Sequence, residues 1–172
     1  MSTHIIVMGV SGCGKTTVAQ ALADKFGFQM AEGDDFHPQA NVDKMSHGIP
    51  LNDEDRWPWL KTINQWMRKQ DAKGVSTVVS CSALKRAYRD VLRKDLDVLF
   101  IHLVGSQDLI GSRMRQRKGH YMPVSLLPSQ FADLESLQPG EEGVEVSIDA
   151  SPEHVIEEAA KAVNAWRASI AS

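Results

Sequence analysis

The chain has 172 residues, 42% of them hydrophobic, with a formal net charge of −3 and two cysteines. That length suits one domain with a single substantial core. Mild acidity excludes a bulk nucleic-acid binder, and two cysteines without metal-ligand spacing exclude a disulfide scaffold or a zinc module.

His4-Ile5-Ile6-Val7-Met8 is an apolar run that predicts a buried strand and is far too short to span a bilayer. No charged segment followed by a secretory apolar stretch precedes it, so a soluble, cytoplasmic protein is expected, with Cys13 and Cys81 as free thiols. Gly9-Val10-Ser11-Gly12-Cys13-Gly14-Lys15-Thr16-Thr17 follows and leads into the helical spacing of Val18 to Ala23. Strand, loop, helix and the spelling Gly-x-x-x-x-Gly-Lys-Thr together make a phosphate-binding loop. Its glycines let backbone N–H groups turn inward around a phosphate, and the helix N-terminus adds partial positive charge. Lys15 is expected on the β- and γ-phosphates of a nucleoside triphosphate and the Thr16 hydroxyl on Mg²⁺.

Gly27 reads as a helix C-cap and Phe28 to Ala31 as a strand, with Glu32-Gly33-Asp34-Asp35 at its C-terminal end, where α/β sheets bind ligands. Pro38 opens a helix to about His47, and Asn52 caps another to about Ala72. Val75 to Ser80 predicts a strand, Arg86 to Lys94 a helix and Val98 to Val104 a strand buried on both faces. Ser106 caps a helix from Gln107 to about Lys118; Gly119 to Pro123 breaks the pattern and a helix resumes from Val124 to Leu137. A basic helix end, a break and a returning helix describe a lid over residues 113–137. Gly143 to Ile148 is the last strand, and Pro152 opens a final helix to about Ala168. The fold expected is a single α/β three-layer sandwich over 1–172. It has a five-stranded parallel sheet, a helical substrate-binding insert over 38–72 and the lid.

Basic residues concentrate at Lys85 to Lys94 and Arg113 to Lys118, which points to small anionic ligands. The chain has no Asn-Lys-x-Asp guanine motif, and its third and fourth strands end in Ser80-Cys81-Ser82 and Val104-Gly105 rather than in an acid. The acidic group near Mg²⁺ must therefore come from elsewhere, and Glu32 and Asp34 after the second strand are the candidates. This arrangement resembles that of the shikimate-kinase-like small-molecule kinases.

A longer set of motifs makes the resemblance specific. Gly33-Asp34-Asp35-Phe36-His37-Pro38, Asn41, Lys44-Met45, Gly48-Ile49-Pro50-Leu51 and Asp53 to Leu60 are similar to the bacterial gluconokinases. So are Cys81 to Lys85, Tyr88-Arg89-Asp90, Gly119 to Pro123, Ser129-Gln130-Phe131 and Leu134-Glu135. Three positions depart from that pattern: Cys13 stands where Ser is common, Glu32 where Asp is, and Ser136 where Pro is.

The resemblance implies ATP-dependent phosphorylation of D-gluconate to 6-phosphogluconate with Mg²⁺, with no nucleic-acid or membrane partner. It also allows a homodimer, for which the sequence carries no interface signal. Another acceptor on the same scaffold (shikimate, another sugar acid or a nucleoside monophosphate) is the alternative, and a nucleotide switch without acceptor chemistry is the rival from another class. Lys15, Asp34 and Arg117 are the expected catalytic residues, Asp34 orienting the attacking hydroxyl. ATP would lie along Gly9 to Thr17 with Arg113 and Arg117, a helical turn apart, near the Ile148 to Ala150 loop. Thr16, and Glu32 through water, would serve the metal. Asp34, His37, Arg56, Lys85, Arg89, His120 and Gln130 would contact the acceptor, with Arg56 or Arg89 clamping its carboxylate.

Overall fold

The computed structural model describes residues 2–116 and 127–171. Five strands, β1 (His4–Met8), β2 (Gln29–Glu32), β3 (Thr77–Ser80), β4 (Val98–Val104) and β5 (Gly143–Ser147), form one sheet in the order β2-β3-β1-β4-β5. Every neighbouring pair is parallel, so each connection must cross a face of the sheet. The central strand carries the most apolar run, and Ile5, Ile6, Val7 and Met8 are all fully buried. A continuous apolar strand, rather than an alternating one, is what a strand covered on both faces requires.

Helix α1 (Lys15–Phe26) and the last helix, α7 (Pro152–Ala171), pack together, and α3 (Asp53–Ala72) packs with α4 (Arg86–Leu92). Right-handed crossovers put these two pairs on opposite faces of the sheet. The expected apolar stripe of α3, Leu60, Ile63 and Met67, is fully buried. Its start is fixed by a reciprocal capping box: Asp55 N donates to Asn52 Oδ1 at 2.9 Å and Asn52 N donates to Asp55 Oδ2 at 3.0 Å. A short helix, α2 (Gln39–Ser46), precedes it; α5 (Gln107–Gln116) and α6 (Leu127–Asp133) lie between β4 and β5. Among the described residues no helix is long and apolar enough to cross a membrane.

Two elements differ from expectation. A 3₁₀ turn, Gly33–Phe36, follows β2 directly. Helix α6 stops at Asp133 rather than at Leu137. The backbone beyond it is drawn against α4 and the loop before it: Glu135 N donates to Leu84 O at 2.7 Å, and the carbonyls of Glu135 and Ser136 accept from Arg89.

Candidate active site

The phosphate loop leaves β1 at the C-terminal edge of the sheet. Gly9, Gly12 and Gly14 have φ of 143°, 83° and 96°, conformations that residues with a Cβ rarely adopt. Gly12 has a second constraint, because a Cβ there would collide with the Met114 side chain of α5. Lys15 folds back over the loop, its Nζ donating to Gly9 O at 3.1 Å and Val10 O at 3.0 Å. The Thr16 hydroxyl donates to Glu32 Oε2 at 3.1 Å, and the Ser80 hydroxyl donates to the same oxygen at 2.8 Å. Thus the loop, the end of β2 and the end of β3 meet at one carboxylate.

Asp34 is placed by the 3₁₀ turn. Trp59 of α3 donates from Nε1 to Gly33 O at 2.7 Å, and Phe36 packs against Trp66 with ring centroids 5.9 Å apart. Gly33 itself lies so close to β3 that a Cβ would overlap the Ser80 carbonyl oxygen and crowd Cys81. Substituting alanine there is expected to cost about 2 kcal/mol through forced backbone movement. Thermal unfolding of Gly33→Ala should show a melting point roughly 4–8 °C lower, and an unchanged melt would mean that the turn relaxes freely.

Two cavities share a wall at this point. One is lined by Ser11, Gly12, Gly14, Lys15, Thr16, Glu32, Asp34 and Ser80. The other is lined by Ser11, Lys15, Asp34, His37, Met45, Leu51, Arg56, Trp59, Ser82 and Gln130. Ser11, Lys15 and Asp34 face both. Gln130 of α6 accepts from the Ser11 amide at 2.6 Å, so α6 touches the phosphate loop directly. A third cavity, on the far side of the loop, is lined by Cys13, Gly14, Thr17, Val18, Arg113, Ile148, Ala150, Pro152 and Val155. Arg113 is steadied there by donating from Nη2 to Ile148 O at 3.1 Å.

His37 stacks on Trp59 with centroids 3.9 Å apart. Asn41 Nδ2 lies 3.1 Å from His37 Nδ1 and also donates to Asp55 O at 2.9 Å, which fixes the amide orientation and makes Nδ1 the acceptor. The ring proton therefore sits on Nε2, 3.9 Å from Asp34 Oδ1. Burial, with the Arg56 charge adding to it, lowers the His37 pKa to about 4, so the ring is neutral at physiological pH. Burial likewise pushes the thiols of Cys13 and Cys81 up, and both stay protonated.

The expected residues divide clearly. Lys15, Asp34, His37, Arg56 and Gln130 come together around one cavity. Lys85 instead lines an adjoining open groove, with its Nζ 3.2 Å from Asp53 Oδ1. Arg89 is not an acceptor ligand. It is fully buried and doubly bonded to Glu141, with Nε to Oε1 at 2.8 Å and Nη2 to Oε2 at 3.0 Å. Its other N–H groups are taken by the carbonyls of Ala83, Leu84, Glu135 and Ser136. Arg93 also reaches Glu141 at 2.5 Å, so Lys85, Arg86, Arg89 and Arg93 of the basic concentration at Lys85 to Lys94 are each paired with an acid of the protein. Arg117, His120 and much of the expected lid lie outside the described residues. Trp59, Ser80 and Ser82 line the site although sequence reasoning assigned them no ligand role; a small hydroxyl residue at the end of a strand, as at Ser80, was the available signal.

A family model described as an AAA domain matches residues 5–135. The chain is 50% identical over 155 residues to a gluconokinase of Gluconobacter oxydans (strain 621H), covering 90% of this chain and 87% of that one. The chain belongs to the gluconokinase family. Solved structures agree with this membership. A sugar kinase of Janibacter sp. HTCC2649 is 50% identical with a TM-score of 0.92, covering 95% of each chain. A gluconokinase of Sinorhizobium meliloti 1021 is 41% identical with a TM-score of 0.88, covering 98% of this chain and 95% of that one. The strand order, the phosphate loop and the two adjoining cavities are thus those of a gluconokinase-family member.

Proposed function

We propose that the protein transfers the γ-phosphate of ATP to the 6-hydroxyl of D-gluconate, giving 6-phosphogluconate and ADP. The observation that carries this reading is the shared wall of the two cavities, where Asp34 and Lys15 face both the space along the phosphate loop and the adjoining pocket lined by His37, Arg56 and Gln130. A hydroxyl in that pocket and a γ-phosphate on the loop would meet at Asp34. Phosphoryl transfer has a loose transition state, so positioning and charge neutralisation matter more than a strong base.

In this reading Lys15 moves from the carbonyls of Gly9 and Val10 to the β- and γ-phosphates, and the loop amides cradle them. The adenine lies in the cavity beside Arg113, Ile148 and Ala150. Asp34 orients the attacking hydroxyl and accepts its proton, while neutral His37 and Gln130 bond the acceptor's hydroxyls. Arg56 receives the carboxylate at the other end of the sugar acid.

The residues fit Mg²⁺. Thr16, Glu32 and Ser80 supply hard oxygen donors, and among the described residues no cluster of three or more His, Cys, Asp or Glu could cage a metal. Mg²⁺ takes few protein ligands and shares the rest of its shell with phosphate and water. Thr16, and Glu32 through water, would hold it, and the bound ion supplies charge neutralisation at the phosphate oxygens. Buried free thiols suit the reducing cytoplasm.

A coupled assay of ADP formation with gluconate, shikimate, other aldonic acids and nucleoside monophosphates tests the reading, and turnover confined to a nucleoside monophosphate would overturn it. Within it, Arg56→Lys is expected to raise KM for gluconate about tenfold by removing the paired hydrogen bonds that only a guanidinium makes, with KM for ATP unchanged. Equal rises in both constants would make Arg56 a structural residue.

A further inference from the structure

Arg56 is the meeting point of three elements. Its Nη1 donates to the Tyr88 hydroxyl of α4 at 2.6 Å and to Asp133 Oδ2 of α6 at 3.1 Å. Tyr88 in turn donates to Asp53 Oδ1 at 2.5 Å, at the start of α3. The guanidinium also lies over the Tyr88 ring, 5.2 Å from its centroid. Two independent contacts with one fixed ring therefore hold it in place. Tyr88 is fully buried, and the Arg56 side chain is 9% exposed.

Asp133 differs from these neighbours. It is the last residue of α6, its side chain is 30% exposed, and it opens onto the groove beside Lys85 rather than into the cavity of Asp34. Arg56 lines both spaces. Nη1, which bonds both Tyr88 and Asp133, is thus already engaged when a second carboxylate reaches the guanidinium. Asp133 can leave by a rotamer change and be solvated at once, whereas Arg56 cannot leave without breaking its contacts with Tyr88.

We propose that Asp133 is a resident carboxylate that occupies Arg56 until the acceptor arrives. Acceptor binding then exchanges one ion pair for another, while Tyr88 keeps the guanidinium in position. This rests on the reading that Arg56 receives the acceptor's carboxylate. No bond is made or broken beyond hydrogen bonds and ion contacts. Three consequences follow from the exchange. The acceptor's apparent affinity is its intrinsic affinity reduced by the fraction of molecules in which Arg56 is free of Asp133. A neutral polyol that displaces Asp133 loses an ion pair and gains none, so a carboxylate is required for net binding. And the end of α6, whose Gln130 holds the Ser11 amide, is untied from α3 only when an acidic acceptor is present. In this way the acceptor site is linked to the phosphate loop.

The test is a comparison of Asp133→Asn, Tyr88→Phe and Arg56→Lys with the parent enzyme, by steady-state kinetics and by calorimetric titration with gluconate. Asp133→Asn keeps shape and packing but removes the competing charge. It is expected to lower KM and Kd for gluconate about three- to fivefold, the scale of a partly exposed ion pair, with KM for ATP unchanged. Placed in the Arg56→Lys background, the same substitution should lose most of that gain, because the two residues act through one contact. Tyr88→Phe should raise KM for gluconate about fivefold by freeing the guanidinium. If Asp133→Asn leaves gluconate affinity unchanged or weakens it while Arg56→Lys still raises KM, the exchange is wrong and Asp133 is a structural partner, a result that a lowered melting point would accompany. If Arg56→Lys leaves KM for gluconate unchanged, the carboxylate clamp itself is wrong, and the exchange fails with it.

Discussion

Asp34→Asn is expected to lower kcat for gluconate phosphorylation by about 10²-fold or more, the usual scale for a group that accepts a proton in the transition state. That loss corresponds to roughly 2.7 kcal/mol of barrier. Asparagine has the same shape, and the turn that carries residue 34 is held by the indole of Trp59 on the Gly33 carbonyl and by the close packing of Gly33 on β3. The melting point should therefore stay where it is, and KM for ATP should move little. Asp35 is the internal control: it is adjacent and exposed but does not line either cavity, so Asp35→Asn should stay within about twofold of the parent. Stopped-flow or coupled measurement of ADP formation distinguishes the two. Turnover near that of the parent in Asp34→Asn would remove the proton-accepting role from this residue.

The second large effect concerns stability. Arg89→Ala leaves Glu141 without its bidentate partner in a site where the carboxylate is fully buried, and breaking such a pair costs about 3–5 kcal/mol. For a chain of this size that is a fall in melting point of roughly 10 °C or more. Ala83 adds to the effect. Its φ of 47° is unusual for a residue with a side chain, and its carbonyl is one of those that Arg89 holds. A pH series gives a second reading of the same pair. Burial alone would raise the Glu141 pKa, but hydrogen bonds from Arg89 and Arg93 outweigh it and hold the group at about 2, against an ordinary 4.5. A depressed carboxylate pKa gives stability that is complete above about pH 4.5 and is lost as the pH falls toward 2, because the unfolded chain binds the proton first. The parent's melting point should drop steeply across that window, and the drop should be much shallower in Arg89→Ala. An unchanged melt in the variant would restore Arg89 to the list of possible acceptor ligands.

The phosphate loop was legible because its requirements are local: glycines for inward-turned amides, and Lys15 and Thr16 at fixed offsets. The parallel sheet was legible because continuous apolar runs alternate with helical patterns. The placing of Glu32 and Asp34 beside the phosphate loop could be inferred from the missing acid at the ends of β3 and β4. The role of Arg89 could not, because its partner Glu141 lies 52 residues away across β4. A run of basic residues looks the same in sequence whether it faces a ligand or a buried glutamate. The early end of α6 has the same cause, since the backbone that Arg89 captures cannot continue a helix. Likewise, the turn that aims Asp34 depends on an indole contributed by α3, a contact that no local propensity encodes.

The order of the sheet also bears on how this protein is made. Its central strand, β1, has no neighbour nearby in sequence; the His4 side chain bonds Thr77, 73 residues later, and the strand's other flank waits for β4. During synthesis the nucleotide loop therefore emerges early and remains without its framework until well over half of the chain has been translated. Long-range parallel pairing of this kind is slow, and it leaves apolar strands exposed in the meantime. Glu32 and Ser80, which meet Thr16 at one carboxylate, are brought to the loop by β2 and β3, but β1 keeps an open edge until β4 arrives. Until β4 pairs with β1, the loop that holds the phosphate therefore stands on a strand with one unpaired apolar edge.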